Sequence, residues 1–454
     1  MKGSPQKKPY LNIQQILHKN NDCKYSGKTT TCTQGTAAEV KKPLLEETNF
    51  MTEETKPNYP EVTLAKGRDK RIRNGHLWIF SNELLPATAR PEPGEIVAVR
   101  TSENRVAGIG FYHPNSLIAV RLLTRKPAVI DRAFFASRLA QAIRNREPLN
   151  DTTNAVRLVH AESDGMPGLI VDRYGDGLVL QILSAGMERQ RDIVVDVLRE
   201  LLQPTFLILR NDHHMREREG LGQEKEFLIG DDSEIPVTIT ENSVSFLVDP
   251  FEGQKTGFYI DQRDHRMVFR RFIRPGDRVL DGFCHFGGFA MHAALAGAGE
   301  VVAVDDSDAV LEYTTKNIRL NGLEHIVSTR KADLMKLLPD MAGEGNVRFN
   351  VINLDPPNFA TNRKSVGPAL RGYRKLHRAA LDLLEPGGIL ATSSCSHHIT
   401  EDAFLDSVMR ACRDSRRRVQ LLYKGGHAMD HPVLPEMPET GYLKFFIFRV
   451  AEID

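Results

Sequence analysis

Residues 278–305, RVLDGFCHFGGFAMHAALAGAGEVVAVD, decide the fold. An apolar strand pattern leads into paired glycines, a helix of small residues follows, and a second apolar strand ends in Asp305. Working outward, the alternation continues with a helix at 307–322, a strand at 349–354, a helix ending at a glycine stop within 367–388, and a strand at 389–396. Continuously apolar strands alternating with helices predict a doubly wound, Rossmann-like α/β fold, which binds ligands at the carboxyl ends of its parallel strands.

The upstream sequence has a different texture. Short apolar runs split by Gly, Pro and Asn predict a small β-barrel, and a helical period at residues 131–148 predicts a linker helix. Strand patterns with turns at DGMPG and YGDG, followed by a further helix, predict a small α+β unit. The predicted domains are a disordered tail at 1–58, a barrel at 59–130, a linker helix with an α+β domain at 131–249, and the α/β domain at 250–454.

Composition narrows the function classes. The net charge is +1, and no run of 18 apolar residues suggests a membrane span. The five cysteines form neither an even disulfide framework nor a C-x-x-C metal pattern, so we expect free thiols, no metal site and a cytoplasmic location. Basic side chains crowd residues 66–73 and 263–274; from charge alone a solvated surface is favoured over a phosphate-binding face.

Four acids stand at successive predicted strand ends, namely Asp281, Asp305, Asp333 and Asp355. We expect Asp305 to accept the two ribose hydroxyls of a ligand and Asp333 to contact an adenine amino group. The stretch DGFCHFGG lacks the G-x-G-x-x-G spacing that cradles a pyrophosphate, and no P-loop lysine follows. An adenosine ligand without phosphate fits better, which indicates S-adenosylmethionine. Helix N-capping could explain any one of these acids but explains all four poorly.

Two further strand ends carry reactive groups. Asp355 precedes two prolines, and Cys395 lies in SSCS at the end of the next strand. Carbon C5 of cytosine becomes nucleophilic when a thiolate adds to C6 while N3 is protonated or hydrogen-bonded. This requires one thiol and one carboxyl group on the same base: Cys395 would add covalently, and Asp355 would hold N3 and the amino group. The base must leave its stack to reach them. Asp355, His397 or a water molecule could remove the C5 proton. A single cysteine is more often a small buried hydrophobe, so the weight of Cys395 comes from Asp355.

These motifs resemble a known family. GQKTGFYIDQR (253–263), VLDGFCHFGGFA, LDPPNF and SSCS are similar to the ribosomal RNA large subunit methyltransferase I family, which makes 5-methylcytosine. The resemblance extends over about residues 62–450, including KGRDKRIRNGHLWIFSNEL, which resembles that family's RNA-binding PUA domain. One departure is that Asp281 stands where the family commonly has Asn.

The resemblance implies a methyltransferase acting on ribosomal RNA, with Cys395 as nucleophile, Asp355 in the active site, bound S-adenosylmethionine and often a homodimer. It also implies that Gln262 lies near the cofactor. The expected cofactor-binding residues are Gln262, Asp281, Phe283, Gly287, Gly288, Asp305, Asp333 and Asp355. Two alternatives stay open. One is an RNA N-methyltransferase acting on guanine N7 or adenine, and the other is a non-catalytic RNA-binding protein with a degenerate methyltransferase domain.

Overall fold

The computed structural model describes residues 58–86, 91–345 and 347–451. The predicted disordered tail lies outside the described residues, apart from Asn58. Within these ranges no helix combines the length and the apolarity needed to cross a bilayer. The described chain forms three sheets and a separate two-stranded hairpin.

The first sheet has five strands in the order β1-β3-β4-β5-β2. Only the β1–β3 pair is parallel. Alternate residues of β3, among them Val97 and Val99, are fully buried against Ile79 and Leu122, as expected for strands with one buried face. The elements are β1 (Glu61–Thr63), α1 (Lys70–Arg73), β2 (Trp78–Phe80), β3 (Ile96–Arg100), β4 (Val106–Tyr112) and β5 (Ile118–Thr124).

The second sheet has the order β10-β9-β8-β7-β6, and it packs against helices α2 (Arg132–Arg146) and α4 (Arg191–Leu202). The predicted linker helix is α2, which begins at Asp131, whose side chain accepts from the Phe134 N–H. The elements are α2 (Arg132–Arg146), β6 (Ala155–His160), β7 (Leu169–Tyr174), β8 (Gly177–Ile182), α3 (Ala185–Glu188), α4 (Arg191–Leu202), β9 (Leu207–Asn211) and β10 (Glu224–Ile229).

The third sheet has seven strands in the order β15-β14-β13-β16-β17-β19-β18. Strands β13 to β17 are parallel, and β19 runs antiparallel to both β17 and β18. The elements are β13 (Arg278–Gly282), α6 (Gly288–Leu295), β14 (Glu300–Asp305), α7 (Asp308–Leu320), β15 (Val327–Lys331), α8 (Leu334–Glu344), β16 (Phe349–Leu354), α9 (Val366–Leu383), β17 (Leu384–Ser394), α10 (Glu401–Ser415), β18 (Arg418–Gly425) and β19 (Lys444–Ala451), preceded by α5 (Arg263–Arg270).

The predicted doubly wound α/β fold is confirmed, with one correction. The helix predicted within residues 367–388 does not end at a glycine stop. It is α9, which ends at Leu383, and Glu385-Pro386-Gly387-Gly388 belong to β17. The pairing register of β16 with β17 shifts over this stretch, between Phe349 and Val351, so the turn-forming residues produce an irregular strand start.

Ion pairs and hydrogen bonds connect the three sheets. Arg121, from the first sheet, contacts the carboxylates of Glu162 and Glu219 at 3.1 and 3.2 Å. Arg263, at the start of α5, makes a bidentate pair with Asp430, both bonds being 2.9 Å long, and Asp430 also accepts from the Arg157 N–H of β6 at 3.0 Å. A hairpin of β11 (Val237–Glu241) and β12 (Val244–Val248) attaches to α7, because the Leu247 N–H donates to Asn317 Oδ1. The domain boundaries themselves stay predictions.

Candidate active site

A cavity of about 340 Å³ lies at the carboxyl ends of β13, β14, β16 and β17. Small-molecule sites commonly enclose roughly 300–1,000 Å³. The predicted residues on its wall are Gln262, Phe283, Gly288, Asp305, Asp355 and Cys395. Those not on its wall are Asp281, Gly287 and Asp333. Their functional roles stay predictions, but six of the nine share one cavity because parallel strands end at one edge.

The turn between β13 and α6 presents strained backbone to this cavity. Phe283 and His285 have φ angles of 60° and 48°, in the left-handed region that side-chain-bearing residues rarely adopt. Gly287 has φ 80°, and a Cβ there would lie 2.4 Å from Met291 Cε. The Thr314 hydroxyl donates to the His285 carbonyl oxygen at 2.6 Å and helps to hold the turn. Strain of this kind concentrates at ligand sites.

Asp305 ends β14 with its carboxylate on the cavity wall. The His285 N–H donates to Oδ2 at 3.1 Å, and the Ser307 N–H donates to Oδ1 at 3.2 Å. Burial raises the pKa of this carboxyl group, while the two backbone donors oppose that rise. Each oxygen can accept one more hydrogen bond, so the carboxylate suits a pair of neighbouring hydroxyl groups.

Asp281 and Asp333 are placed differently. Asp281 is buried, and it accepts from the Ala290 N–H at 2.8 Å and from Asn353 Nδ2 at 2.9 Å. Burial raises the pKa of Asp281 to about 7. Asp333 is the N-cap of α8, because its Oδ1 accepts from the Met335 N–H at 2.8 Å. Asp281 therefore braces the turn from behind, and the capping alternative holds for Asp333.

Asp355 is half-buried and held from two sides. Gln262 Nε2 donates to its Oδ2 at 3.0 Å, and the Ser393 hydroxyl donates to its Oδ1. His265 Nδ1 lies 2.5 Å from Gln262 Oε1. Burial lowers the pKa of His265 to about 3, so the neutral ring donates there and turns the Gln262 amide nitrogen toward Asp355. Burial raises the pKa of Asp355, against the effect of the Ser393 hydrogen bond.

Cys395 follows β17 and is half-buried on the cavity wall. Burial raises the pKa of its thiol to about 11; the Lys255 ammonium group lowers the pKa, and the Asp355 carboxylate raises it. His397, considered as a base from its sequence position, is exposed and is not on the cavity wall. The cation that acts on the thiol is therefore Lys255, a residue with no predicted role.

Asp261 is the second wall residue with no predicted role. Its Oδ2 accepts from Lys255 Nζ at 2.6 Å and from the Tyr442 hydroxyl at 2.7 Å. The sequence contains a local feature that could have pointed to this pair. Lys255 and Asp261 carry opposite charges within GQKTGFYIDQR, and Asp261 is the one acid in that stretch. Tyr442 lies just before β19, far from Asp261 in the sequence, so no local pattern predicts the contact between them.

The second basic cluster seen in the sequence is partly internal. Arg263 pairs with Asp430, and Arg266 makes two bonds of 2.6 Å to Glu241, with all four side chains buried. Their charges are neutralised inside the protein, so these two arginines do not form a phosphate-binding face. Arg266 also contacts the cavity beside Gly288, where a Cβ would lie 2.9 Å from its Cδ.

The cavity fits S-adenosylmethionine by its donor and acceptor set. Asp305 offers two oxygens to a ribose, and the turn after β13 brings backbone close to a ligand. His285 Nε2 is buried and has no hydrogen-bond partner within the described residues. Among the residues that the structure describes, the cationic side chains on the wall are Lys255 and Arg266, each already paired with a carboxylate, which suits a ligand that has no phosphate.

Comparison with known proteins gives the class and then the family. A family described as S-adenosylmethionine-dependent methyltransferase matches residues 203–449, and a PUA-like domain family matches residues 62–125. A crystal structure described as a methyltransferase complexed with SAH has a TM-score of 0.75 at 20% identity, covering 86% of this chain and 100% of that one. A methyltransferase from Streptococcus mutans has a TM-score of 0.74 at 19% identity, with the same coverage. The protein is thus an S-adenosylmethionine-dependent methyltransferase with a PUA-like domain.

Curated relatives define the family. "Ribosomal RNA large subunit methyltransferase I" of Shewanella denitrificans is 39% identical over 394 residues, which are 86% of this chain and 99% of the relative. The protein of the same name from Salmonella arizonae is 38% identical over 404 residues, which are 88% of this chain and 100% of the relative. The chain belongs to the ribosomal RNA large subunit methyltransferase I family, and the predicted resemblance is confirmed.

Proposed function

We propose that this enzyme methylates carbon C5 of a cytosine in large-subunit ribosomal RNA through a covalent bond to Cys395. One observation carries the proposal, which is that Cys395 and Asp355 line the same cavity from the ends of neighbouring strands. A thiol and a carboxyl group on one base are what C5 chemistry requires. The names of the relatives and the PUA-like domain support ribosomal RNA as the substrate.

The cofactor would be held by Asp305, by the backbone of the turn after β13 and by residues near Gln262. When bound, it supplies an electrophilic methyl group on a sulfonium. The protein's own residues bind and orient the flipped base, which must leave its stack to enter a cavity of this size. Excluding water there strengthens each polar contact with the base.

In the proposed mechanism Cys395 loses its thiol proton to a water molecule as the base enters, and the thiolate forms a bond to C6. The electron pair of the C5–C6 double bond moves to C4–C5, and the pair of the C4–N3 double bond moves onto N3. Asp355, whose pKa burial raises, donates a proton or a hydrogen bond to N3. After C5 has gained the methyl group, the C5 proton leaves to a water molecule, because Asp355 faces N3 and His397 is not on the wall. The electrons of the C5–H bond re-form the double bond, the C6–S bond breaks, and the thiolate is regenerated. A proton that N3 has received returns to Asp355.

The test is methylation of transcribed large-subunit ribosomal RNA with labelled cofactor, followed by nucleoside analysis. We expect 5-methylcytidine from the wild type and at least a ~1,000-fold lower rate from Cys395→Ala, since the nucleophile is removed. Cys412→Ala is the matched control, because Cys412 is buried on α10 and is not on the cavity wall. An N-methylated product, or a fully active Cys395→Ala variant, would support the N-methyltransferase alternative instead.

Two predictions from the sequence belong with this proposal. A free thiol nucleophile suits the reducing cytoplasm, so we propose that the enzyme acts there. We also propose that it forms the homodimer implied by the family resemblance. Sedimentation of the purified chain at several concentrations tests the dimer, and a monomer at all of them would refute it.

A further inference from the structure

Asp261 has a carboxylate oxygen without a partner. The residue lies in a short turn, Ile260–Gln262, and is 2% exposed while standing on the cavity wall. Its Oδ2 accepts from Lys255 and Tyr442, but its Oδ1 has no hydrogen-bond partner within the described residues. A buried, charged acceptor without a partner is costly. A cavity wall is where a ligand can supply the missing donor.

Asp261 lies toward the thiol end of the cavity. Its charge is among those that raise the pKa of the Cys395 thiol and of Asp355. The geometry agrees, because Tyr442, whose hydroxyl contacts Asp261, has its ring centroid 5.3 Å from that of His397, two residues after Cys395. The missing donor therefore belongs to the part of the ligand that approaches Cys395, which under the proposed function is the target base.

The neighbours of Asp261 keep it ionised. Lys255 contacts Oδ2 directly, and the Tyr442 hydroxyl donates to the same oxygen; both lower the pKa of Asp261 against the effect of burial. An ionised carboxylate can only accept hydrogen bonds. The oxygens of Asp355, in contrast, are already contacted by Gln262 and Ser393. Asp261 thus offers the freer acceptor for a second position on the base.

We propose that Asp261 Oδ1 accepts an N–H of the exocyclic amino group of the target cytosine and thereby sets the preference for cytosine over uracil. This inference rests on the proposed function. Cytosine presents an amino donor at C4, whereas uracil presents a carbonyl oxygen at the same position. A carboxylate facing that carbonyl oxygen would leave two buried acceptors in contact with no proton between them. Asp355 then contacts N3 alone, and the two carboxyl groups contact different positions on the Watson–Crick edge of the base.

The test uses two ribosomal RNA transcripts, identical except that the cytidine methylated by the wild type is uridine in one. Asp261→Asn keeps the shape of the side chain but can turn an amide N–H toward the base. We expect its kcat/KM on the cytidine transcript to fall about 10- to 100-fold, because one base contact is lost. The kcat/KM on the uridine transcript should rise relative to that on the cytidine transcript, with 5-methyluridine as the product. Tyr442→Phe is the matched control, because it removes a hydrogen bond to Asp261 Oδ2 and leaves Oδ1 unchanged. The ratio of kcat/KM on the cytidine transcript to that on the uridine transcript should therefore stay the same.

Separate outcomes would overturn the inference. A large loss of S-adenosylmethionine affinity in Asp261→Asn, measured by calorimetry, would assign Oδ1 to the cofactor's ammonium group. Slower methylation with an unchanged cytidine-to-uridine ratio would assign Asp261 a structural role. Asp261→Ser removes both the charge and the contact, and it reports the same ratio if the Asn variant fails to fold. Failure of the proposed function is distinguishable, because the wild type would then make no 5-methylcytidine.

Discussion

The Cys395 thiol should be unreactive in the enzyme without ligands, and its reactivity should keep rising with pH. Burial raises its pKa to about 11, so only ~0.03% is thiolate at pH 7.5, against ~9% for an ordinary cysteine. A more basic thiolate is intrinsically more nucleophilic, which recovers about tenfold of that deficit. We therefore expect alkylation at Cys395 to be roughly 30-fold slower than at an exposed thiol at pH 7.5.

The assay is alkylation by iodoacetamide, followed at Cys395 by peptide mass spectrometry. Between pH 7.5 and 9.0 the rate should rise about 30-fold without a plateau, because the thiolate fraction grows tenfold per pH unit below the pKa. Lys255→Met removes the charge that lowers the pKa of the thiol, so it should slow the reaction further. Asp355→Asn removes a charge that raises the same pKa and should accelerate it.

The opposite signs of the two variants make the prediction specific. A general loosening of the cavity would accelerate alkylation in both of them, whereas electrostatic control moves them apart. A plateau below pH 8 would mean that the thiol is activated in the free enzyme, and it would refute the role given to burial. A Lys255→Met variant that reacts as fast as the wild type would refute the role given to Lys255.

Two further predictions concern buried carboxyl groups. The pKa of Asp281 rises from 3.8 to about 7 on folding, so this group lowers the free energy of unfolding progressively as pH rises between those values. Asp281→Asn should therefore gain stability relative to the wild type by about 2.5 kcal/mol between pH 5 and 7.5, measured by urea unfolding; an equal pH slope in both proteins would contradict this. Arg266→Met removes both bonds to Glu241 and leaves this buried carboxylate next to the neutral ring of His292, whose Nε2 lies 3.3 Å away and whose pKa burial lowers to about 4. The change should cost about 3–5 kcal/mol, measured the same way; a loss below 1 kcal/mol would contradict it.

The sequence predicted the residues that lie at strand ends, because a parallel sheet collects those ends at one edge. Asp305, Asp355 and Cys395 follow three different strands and share one cavity wall for that reason. The same rule could not say which way each carboxylate turns. Asp281 turns to Asn353 on the neighbouring strand, and Asp333 turns back to cap its own helix.

Pairings between distant parts of the chain were beyond prediction from local pattern. Arg266 looked like part of a basic surface, yet its partner Glu241 comes from a separate hairpin. In the sequence Asp261 was one residue of the motif GQKTGFYIDQR and had no separate role. In the structure the hydroxyl of Tyr442, 181 residues away, helps to keep it ionised. Local periodicity carries no information about such contacts, which depend on how the sheets pack together.

The charge balance of the cavity connects these observations. Its wall carries four carboxylates but two cationic side chains, and Arg266 is neutralised by Glu241; the carboxylates are those of Asp261, Asp305, Asp306 and Asp355. Such a wall favours a cofactor bearing sulfonium and ammonium groups and opposes the entry of phosphates. A neutral base can therefore enter while its flanking phosphates stay outside. Burial and two of these carboxylates, Asp355 and Asp261, raise the pKa of Cys395, so part of the charge that selects the ligands also helps to keep the thiol protonated until they are bound.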